Sequence, residues 1–152
     1  MQWSKLKTRI KALICPELRE RLDFHITSYR ESHDGVEKAW ITLDGEKIFN
    51  CGHYHYEFTF ADGYYRGMRG PELKDWLDGQ EVHSPKYMVG SLRAYLDISI
   101  EEALESKNPF IKGLAIIDRR VGKRTIGKID LEDLEHLLVK RFFELRQGTN
   151  HV

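Results

Sequence analysis

Four side chains that could bind a metal or catalyse acid–base chemistry alternate along one stretch of the chain: Cys51, His53, His55 and Glu57. Successive side chains of an extended strand point to opposite faces, so these four would share one face. Thiolate, imidazole and carboxylate groups are all common zinc ligands. The spacing therefore predicts, as one functional alternative, a zinc site serving a metal-dependent hydrolase or nuclease. No other cofactor is predicted.

The same stretch allows a metal-free alternative, in which Cys51 is a nucleophile and a neighbouring histidine is its base. Both alternatives depend on Gly52, because a bulge at this glycine would turn His53 and His55 away from the face of Cys51. The remaining histidines form no second ligand pair at the spacing of a structural zinc site. The pattern therefore leaves open whether the protein is an enzyme.

A second candidate site is a basic segment, residues 118–128, which contains five cations and two glycines. The predicted anion-binding residues are Arg119, Arg120, Lys123 and Arg124. They could contact nucleic-acid phosphate, because Gly122 allows the chain to turn and arginine binds phosphate well. In the alternative, these cations stabilise the C-terminal end of a helix and face solvent. The whole chain has no net charge, with 24 Lys and Arg against 24 Asp and Glu, so any such site must be local.

The elements that must position these residues begin with antiparallel strands in the first third of the chain, where apolar residues recur with a period of two. Asp44-Gly45 is a strong hairpin signal. A two-residue loop there sets Leu43 opposite Glu46, Ile41 opposite Ile48 and Trp40 opposite Phe49. The sheet face opposite the core then combines polar and aromatic side chains: His25, Thr27, Tyr29, Lys38, Trp40, Thr42, Lys47, Phe49 and Cys51.

This mixed face carries the leading functional hypothesis, because aromatic patches with a polar rim often mark binding sites. The hypothesis is a non-enzymatic binding or interaction protein with a protein or small-molecule partner. Its predicted contact residues are Tyr29, Trp40, Phe49, His53 and His55. In the alternative, a helix covers the aromatic side chains and the polar groups form its rim.

Helical spacing and capping residues dominate the rest of the chain. Ser4 is predicted to cap a first helix that ends at Cys15, and Asn108 a helix that ends at Gly122. The last helix is predicted over residues 131–147, with Asp130 as its cap and Gly148 as its end. Its predicted core stripe is Leu131, Leu134, Leu138, Phe142 and Leu145.

The order of these elements predicts an α+β fold, because all strands precede about residue 69 and nearly all helices follow it. We expect an N-terminal helix, an antiparallel four- to five-stranded meander sheet, and then four to five helices packed on one sheet face. Residues 1–148 are expected to form a single domain, and residues 149–152 to fray. A chain of 152 residues is long enough to bury such a core.

The bulk sequence also predicts a location. No apolar run approaches the ~20 residues of a membrane span, and the N-terminus lacks the apolar stretch of a signal peptide. We therefore expect a cytoplasmic protein without a membrane partner. In a reducing compartment its two cysteines, Cys15 and Cys51, are expected to be free.

Two segments carry a resemblance to known sequences: the opening Trp3-Ser4-Lys5-Leu6-Lys7 and the run Leu114-Ala115-Ile116-Ile117-Asp118-Arg119-Arg120-Val121-Gly122-Lys123-Arg124. With them the chain resembles small bacterial proteins of an uncharacterised family. The resemblance implies a bacterial, cytoplasmic, single-domain protein. It brings no activity, catalytic residue or cofactor.

Overall fold

The computed structural model describes residues 2–27, 38–51 and 85–150. The chain divides into two compact units, a helical unit of residues 1–23 and 89–152 and a sheet unit of residues 24–88. The described α-helices are α1 (Trp3–Leu13), α2 (Pro16–Arg19), α3 (Pro85–Tyr95), α4 (Ile100–Leu104), α5 (Pro109–Ile116), α6 (Lys123–Gly127) and α7 (Leu137–Asn150). Together with a described antiparallel sheet, these helices confirm the predicted α+β class. None of the described helices is long and apolar enough to cross a membrane.

The sheet has three described strands, β1 (Leu22–Thr27), β2 (Lys38–Leu43) and β3 (Glu46–Asn50), in the order β1-β2-β3. The predicted count of four to five strands is not confirmed, and residues 52–69, which were predicted to complete the sheet, lie outside the described residues. The predicted hairpin is confirmed. Asp44 and Gly45 have φ values of 53° and 87°, and two residues at positive φ are the requirement of a type I′ turn.

A β-bulge changes the predicted pairing of this hairpin. Leu43 pairs with Glu46 as predicted, but the register shifts between Ile41 and Thr42. Ile41 therefore pairs with Phe49, and the predicted partner Ile48 is wrong. The predicted pair of Trp40 with Phe49 is wrong for the same reason. The bulge adds one residue to β3 and transfers Phe49 to the face of Ile41.

Helix α1 starts and ends earlier than predicted. Its N-cap residue is Gln2, and Ser4 lies inside the helix rather than at its cap. The helix ends at Leu13 because Ile14 is extended and forms an antiparallel bridge with Asp118. Leu6 and Ile10 form its buried side.

Helices α5 and α7 build the centre of the helical unit. A Cβ at Gly113 of α5 would lie 2.9 Å from Cδ2 of Phe142 in α7, so this glycine allows the two helices to approach closely. Leu138, Phe142 and Phe143 are all buried. Helix α5 ends at Ile116 and not at Gly122, which instead is the N-cap residue of α6.

The predicted helix over residues 131–147 is two elements. Asp130 accepts a hydrogen bond from the Glu132 amide and starts a short 3-10 turn over Leu131–Asp133. Leu134 is then extended, so the helical spacing is interrupted. Leu131, predicted as core, is 39% exposed, and α7 runs beyond Gly148 to Asn150.

His136 provides the start signal of α7. Its ring Nδ1 accepts a hydrogen bond from the Leu138 amide at 3.0 Å, and its carbonyl accepts one from the Lys140 amide at 3.0 Å. A side chain that satisfies an amide in the first turn stabilises a helix. The imidazole therefore takes the place of the usual Asn, Asp, Ser or Thr cap.

We expect His136→Ala to lower the free energy of unfolding by about 1 kcal/mol, the ordinary cost of losing an N-cap. His136→Asn should recover most of this loss, because the Asn carbonyl can accept the same hydrogen bond. Urea unfolding of the two variants measures the difference, with Glu135→Ala at the exposed neighbouring position as control. Equal stability of the Ala and Asn variants would show that His136 is not a cap.

Candidate functional site

Side chains from all three described strands meet in a row on one sheet face. The His25 ring of β1 stacks on the Trp40 ring of β2, with centroids 5.2 Å apart and planes 12° from parallel. The Lys47 ammonium of β3 lies 5.1 Å from the Trp40 centroid. His25 Nε2 and Thr42 Oγ1 are 2.8 Å apart and share a hydrogen bond. We call His25, Trp40, Thr42 and Lys47 the polar–aromatic row.

The alternation of strand residues explains why this row forms. Trp40 and Thr42 are two residues apart on β2, and Lys47 pairs directly with Thr42, so all three project to one side. Trp40 and His25 are half-buried, Thr42 is buried and Lys47 is exposed. The row is therefore held in place at its base while the Lys47 end is open to solvent.

Thr27 adds an unsatisfied polar group. It is two residues from His25 on β1, so it belongs to the same sheet face. Its Oγ1 atom is buried and has no hydrogen-bond partner among the residues that the structure describes. A buried hydroxyl without a partner costs on the order of 1–3 kcal/mol, which makes it a candidate contact for a polar ligand atom.

The predicted contact residues separate in the structure. Trp40 is at the centre of the polar–aromatic row. Phe49 is 6% exposed and shares the opposite face with Ile41 because of the bulge. Tyr29, His53 and His55 lie outside the described residues, and their proposed contact role remains a prediction.

Cys51 is fully buried, and its amide donates a hydrogen bond to the Ala39 carbonyl at 2.7 Å. It thus continues the face of Ala39, Ile41 and Phe49 and not that of Trp40. Its predicted partners His53, His55 and Glu57 lie outside the described residues, so the zinc and hydrolase hypotheses remain predictions. Among residues 2–27, 38–51 and 85–150, no three His, Cys, Asp or Glu side chains are grouped to hold a metal.

The other cysteine, Cys15, belongs to the helical unit and is also buried and free. Burial raises the pKa of the Cys15 thiol, although the nearby Arg146 lowers it in part. A thiol with a raised pKa is protonated at neutral pH and is a poor nucleophile. Cys15 is therefore a core residue.

The basic segment contains an ion pair between a buried carboxylate and a partly exposed arginine rather than four free cations. The Asp118 carboxylate, 1% exposed, accepts two side-chain hydrogen bonds from Arg120, at 2.9 Å from Nε and 2.7 Å from Nη2. It also accepts one from the Arg120 amide at 2.8 Å and one from the Tyr95 hydroxyl at 2.5 Å. The predicted anion-binding residue Arg120 is thus already paired with a carboxylate.

The protonation states follow from this geometry. Burial alone would raise the pKa of Asp118, but hydrogen bonds from Arg120 and Tyr95 outweigh burial and hold that pKa below its ordinary value. The hydrogen bond to Asp118 raises the pKa of Arg120. Burial, together with the same carboxylate, raises the pKa of Tyr95. At neutral pH the cluster is a charged Asp118–Arg120 pair with a neutral tyrosine.

Two further arginines fix the chain on either side of Asp118. Arg146 of α7 is buried, and its guanidinium donates hydrogen bonds to the carbonyls of Ile116, Asp118 and Val121. Arg119 Nε donates to the Ala12 carbonyl at the end of α1, at 3.1 Å. These contacts agree with the structural alternative for the segment, in which cations satisfy the last carbonyls of a helix.

Lys123 and Arg124 are the remaining predicted anion-binding residues. Both are exposed on the five-residue helix α6. Within the described ranges neither takes part in an ion pair. All four predicted cations are therefore exposed, but Arg119 and Arg120 also use guanidinium N–H groups in hydrogen bonds within the fold.

One protein family has a sequence pattern that matches residues 2–147, nearly the whole chain. The chain therefore belongs to the SF0329 protein family. This match confirms the predicted resemblance to an uncharacterised family, whose description names no activity. No curated protein and no solved structure matches the chain.

Proposed function

We propose that this SF0329 family member is a non-enzymatic binding protein that takes a small aromatic anion on the sheet face of the polar–aromatic row. The observation that supports the proposal most is the arrangement at Trp40, where an exposed lysine, Lys47, lies over a half-buried indole ring. A flat apolar surface with a cation at its edge complements a planar ring that carries a negative group.

A ligand can replace the contact between the Lys47 ammonium and the Trp40 ring with contacts of its own to both side chains. A cation–π contact at an exposed site is worth only about 0.5–1 kcal/mol, so a planar ligand can displace Lys47 from the Trp40 ring. The displaced ammonium then pairs with the anionic group of the ligand. The stack with His25 and the hydrogen bond of His25 to Thr42 hold the other side of Trp40 in place.

Other groups on this face favour a polar, negatively charged ligand. Lys38 is exposed and lies two residues before Trp40, so it projects to the same side of β2. The unpartnered Thr27 hydroxyl can donate a hydrogen bond to the ligand. Glu46, by contrast, pairs with Leu43 and projects to the opposite face, away from Lys47.

Calorimetric titration with adenosine monophosphate, a planar base with an anionic group, tests the proposal. Adenosine lacks the charge and ribose 5-phosphate lacks the ring, so both should bind more weakly. We expect Trp40→Ala to weaken binding of the nucleotide about tenfold or more, because stacking of a base on an aromatic side chain is worth roughly 1–3 kcal/mol. Lys47→Gln should weaken it several-fold, and Lys47→Arg should not.

Lys112→Gln, in the helical unit, is the matched control for a lost lysine and should leave the affinity unchanged. Absence of binding by adenosine monophosphate would refute the proposed ligand class. Binding that is insensitive to both Trp40→Ala and Lys47→Gln would refute the proposed site. Circular dichroism of each variant shows whether the fold is retained.

A further inference from the structure

The two compact units have opposite formal charges. The helical unit contains 17 Lys and Arg and 13 Asp and Glu, a charge of +4, whereas the sheet unit contains 7 and 11, a charge of −4. The zero charge of the whole chain is therefore the sum of two unlike parts. The first 16 residues contain four cations and no carboxylate side chain, so α1 is a strongly basic element of the helical unit.

We infer that the solvent-exposed side of α1, extended by Arg119, binds the phosphate backbone of nucleic acid. The exposed residues of α1 include Lys5, Arg9 and Ala12, which follow one another at spacings of four and three and therefore lie on one side of the helix. Arg119 joins this stripe at its C-terminal end, because its Nε donates to the Ala12 carbonyl. We call Lys5, Arg9 and Arg119 the cationic stripe.

The dimensions of the cationic stripe fit a row of phosphates. From Lys5 to Ala12 the helix rises by about 10 Å, at 1.5 Å per residue. One strand of a DNA duplex presents about three phosphates over that length, at 3.4 Å of axis each. Three cations with flexible side chains can thus contact neighbouring phosphates of one strand.

The charges of the stripe are not neutralised by described carboxylates. Lys7 and Lys11, on another side of α1, both pair with Asp23, at 3.3 Å and 3.7 Å. In the part of the chain that the structure describes, Lys5 and Arg9 form no such pair. Arg119 uses a single N–H of its guanidinium, which has five, in its hydrogen bond to Ala12.

The remaining residues of this surface favour nucleic acid over an acidic protein partner. Between the cations the exposed residues of α1 are Ser4, Thr8 and Ala12, small or hydroxyl-bearing side chains. Serine and threonine are common phosphate contacts. Protein interfaces instead depend on buried aromatic or large apolar residues, and this side of α1 presents none among its exposed positions.

The experiment measures binding of a short fluorescein-labelled DNA duplex of arbitrary sequence between about 50 and 200 mM salt, where phosphate contacts lose affinity steeply. We expect Lys5→Gln/Arg9→Gln to reduce the slope of log affinity against log salt by about 2, since each duplex phosphate contributes about 0.9. Arg119→Gln should reduce it by about 1. Lys5 and Arg9 are exposed, and their side chains form no hydrogen bond or ion pair with the described residues, so their double variant should fold normally.

Lys7→Gln/Lys11→Gln is the matched control, because it removes two lysines of the same helix that are paired with Asp23. It should leave the slope unchanged. Absence of duplex binding at low salt, or an equal loss in the control and in Lys5→Gln/Arg9→Gln, would overturn the inference. Poly-glutamate serves as a second probe. If poly-glutamate binds, the duplex does not, and Lys5→Gln/Arg9→Gln weakens the binding of poly-glutamate, the surface belongs to an acidic protein partner instead.

Discussion

Leu138→Ala should lower the free energy of unfolding by about 2–5 kcal/mol, the range for removing a fully buried leucine side chain. Leu138 is the second residue of α7, and its side chain is fully buried. One turn further along, Phe142 packs against Gly113 of α5 with no room for a Cβ. Since this glycine contact holds the two helices together, the cavity left by Leu138 cannot close easily.

Chemical denaturation measures this effect, and Leu131→Ala is the control. Leu131 was also predicted to belong to the core stripe but is 39% exposed, so its truncation should change the free energy by less than about 0.5 kcal/mol. Similar losses for the two leucines would contradict the division of residues 131–150 into a 3-10 turn and a helix. A small loss for Leu138 would contradict its burial.

Asp118→Asn should have the second largest effect, a loss on the order of 3 kcal/mol at neutral pH, because hydrogen bonds between charged groups contribute roughly 1.5–3 kcal/mol. The amide nitrogen of Asn would face the Arg120 donors, and two hydrogen bonds could not form. Arg120 is 42% exposed and can turn to water, which limits the loss. Asp130→Asn, at an exposed cap, should change stability little because Asn caps equally well.

The stability difference between the native protein and Asp118→Asn should depend on pH. The pKa of Asp118 is lower in the folded protein than its ordinary value. Its contribution is therefore complete above the unfolded-state pKa of about 4 and is lost as the pH falls through the lower folded-state pKa. The two proteins should differ most near neutral pH and converge below about pH 4. A constant difference across this range would contradict an ionised Asp118.

Local signals were the predictable part of the fold. Asn108 was recognised as a cap from its position before a helical run, and its side chain accepts hydrogen bonds from the Phe110 and Ile111 amides. The Asp44-Gly45 turn was equally readable. In each of these cases the residues that determine the geometry lie within a few positions of each other.

Effects that depend on distant partners were not predictable in the same way. The bulge opposite Ile41 and Thr42 leaves no mark on the alternation of β3, yet it moves Phe49 from the predicted ligand face to the core side. The prediction of a helix from residue 131 was wrong because Asp130 caps only a short 3-10 turn. The start of α7 at His136 was not predicted because histidine is an uncommon cap. Spacing alone could not distinguish these outcomes.

In the candidate sites, too, features set by neighbouring residues were predictable and contacts between distant residues were not. Alternation along the strands placed Trp40 and Lys47 on one mixed sheet face. It did not predict that the two side chains contact each other. Arg120 and Asp118 are only two residues apart, but the hydrogen bond of Asp118 to Tyr95, which is 23 residues earlier in the chain, could not be predicted from spacing. A carboxylate directly after the apolar run Leu114–Ile117 was the available signal, since a charge at the end of a buried segment needs a partner.

The most direct test of the central claim, an aromatic-anion site at Trp40, is the indole N–H resonance of Trp40 in isotope-labelled protein. We predict that adenosine monophosphate shifts this resonance in a saturable manner and leaves that of Trp3, in the helical unit, unchanged. Lys47→Gln should weaken the response, and adenosine should produce a smaller one. An unchanged Trp40 resonance at saturating nucleotide, or equal shifts at Trp3 and Trp40, would contradict the claim.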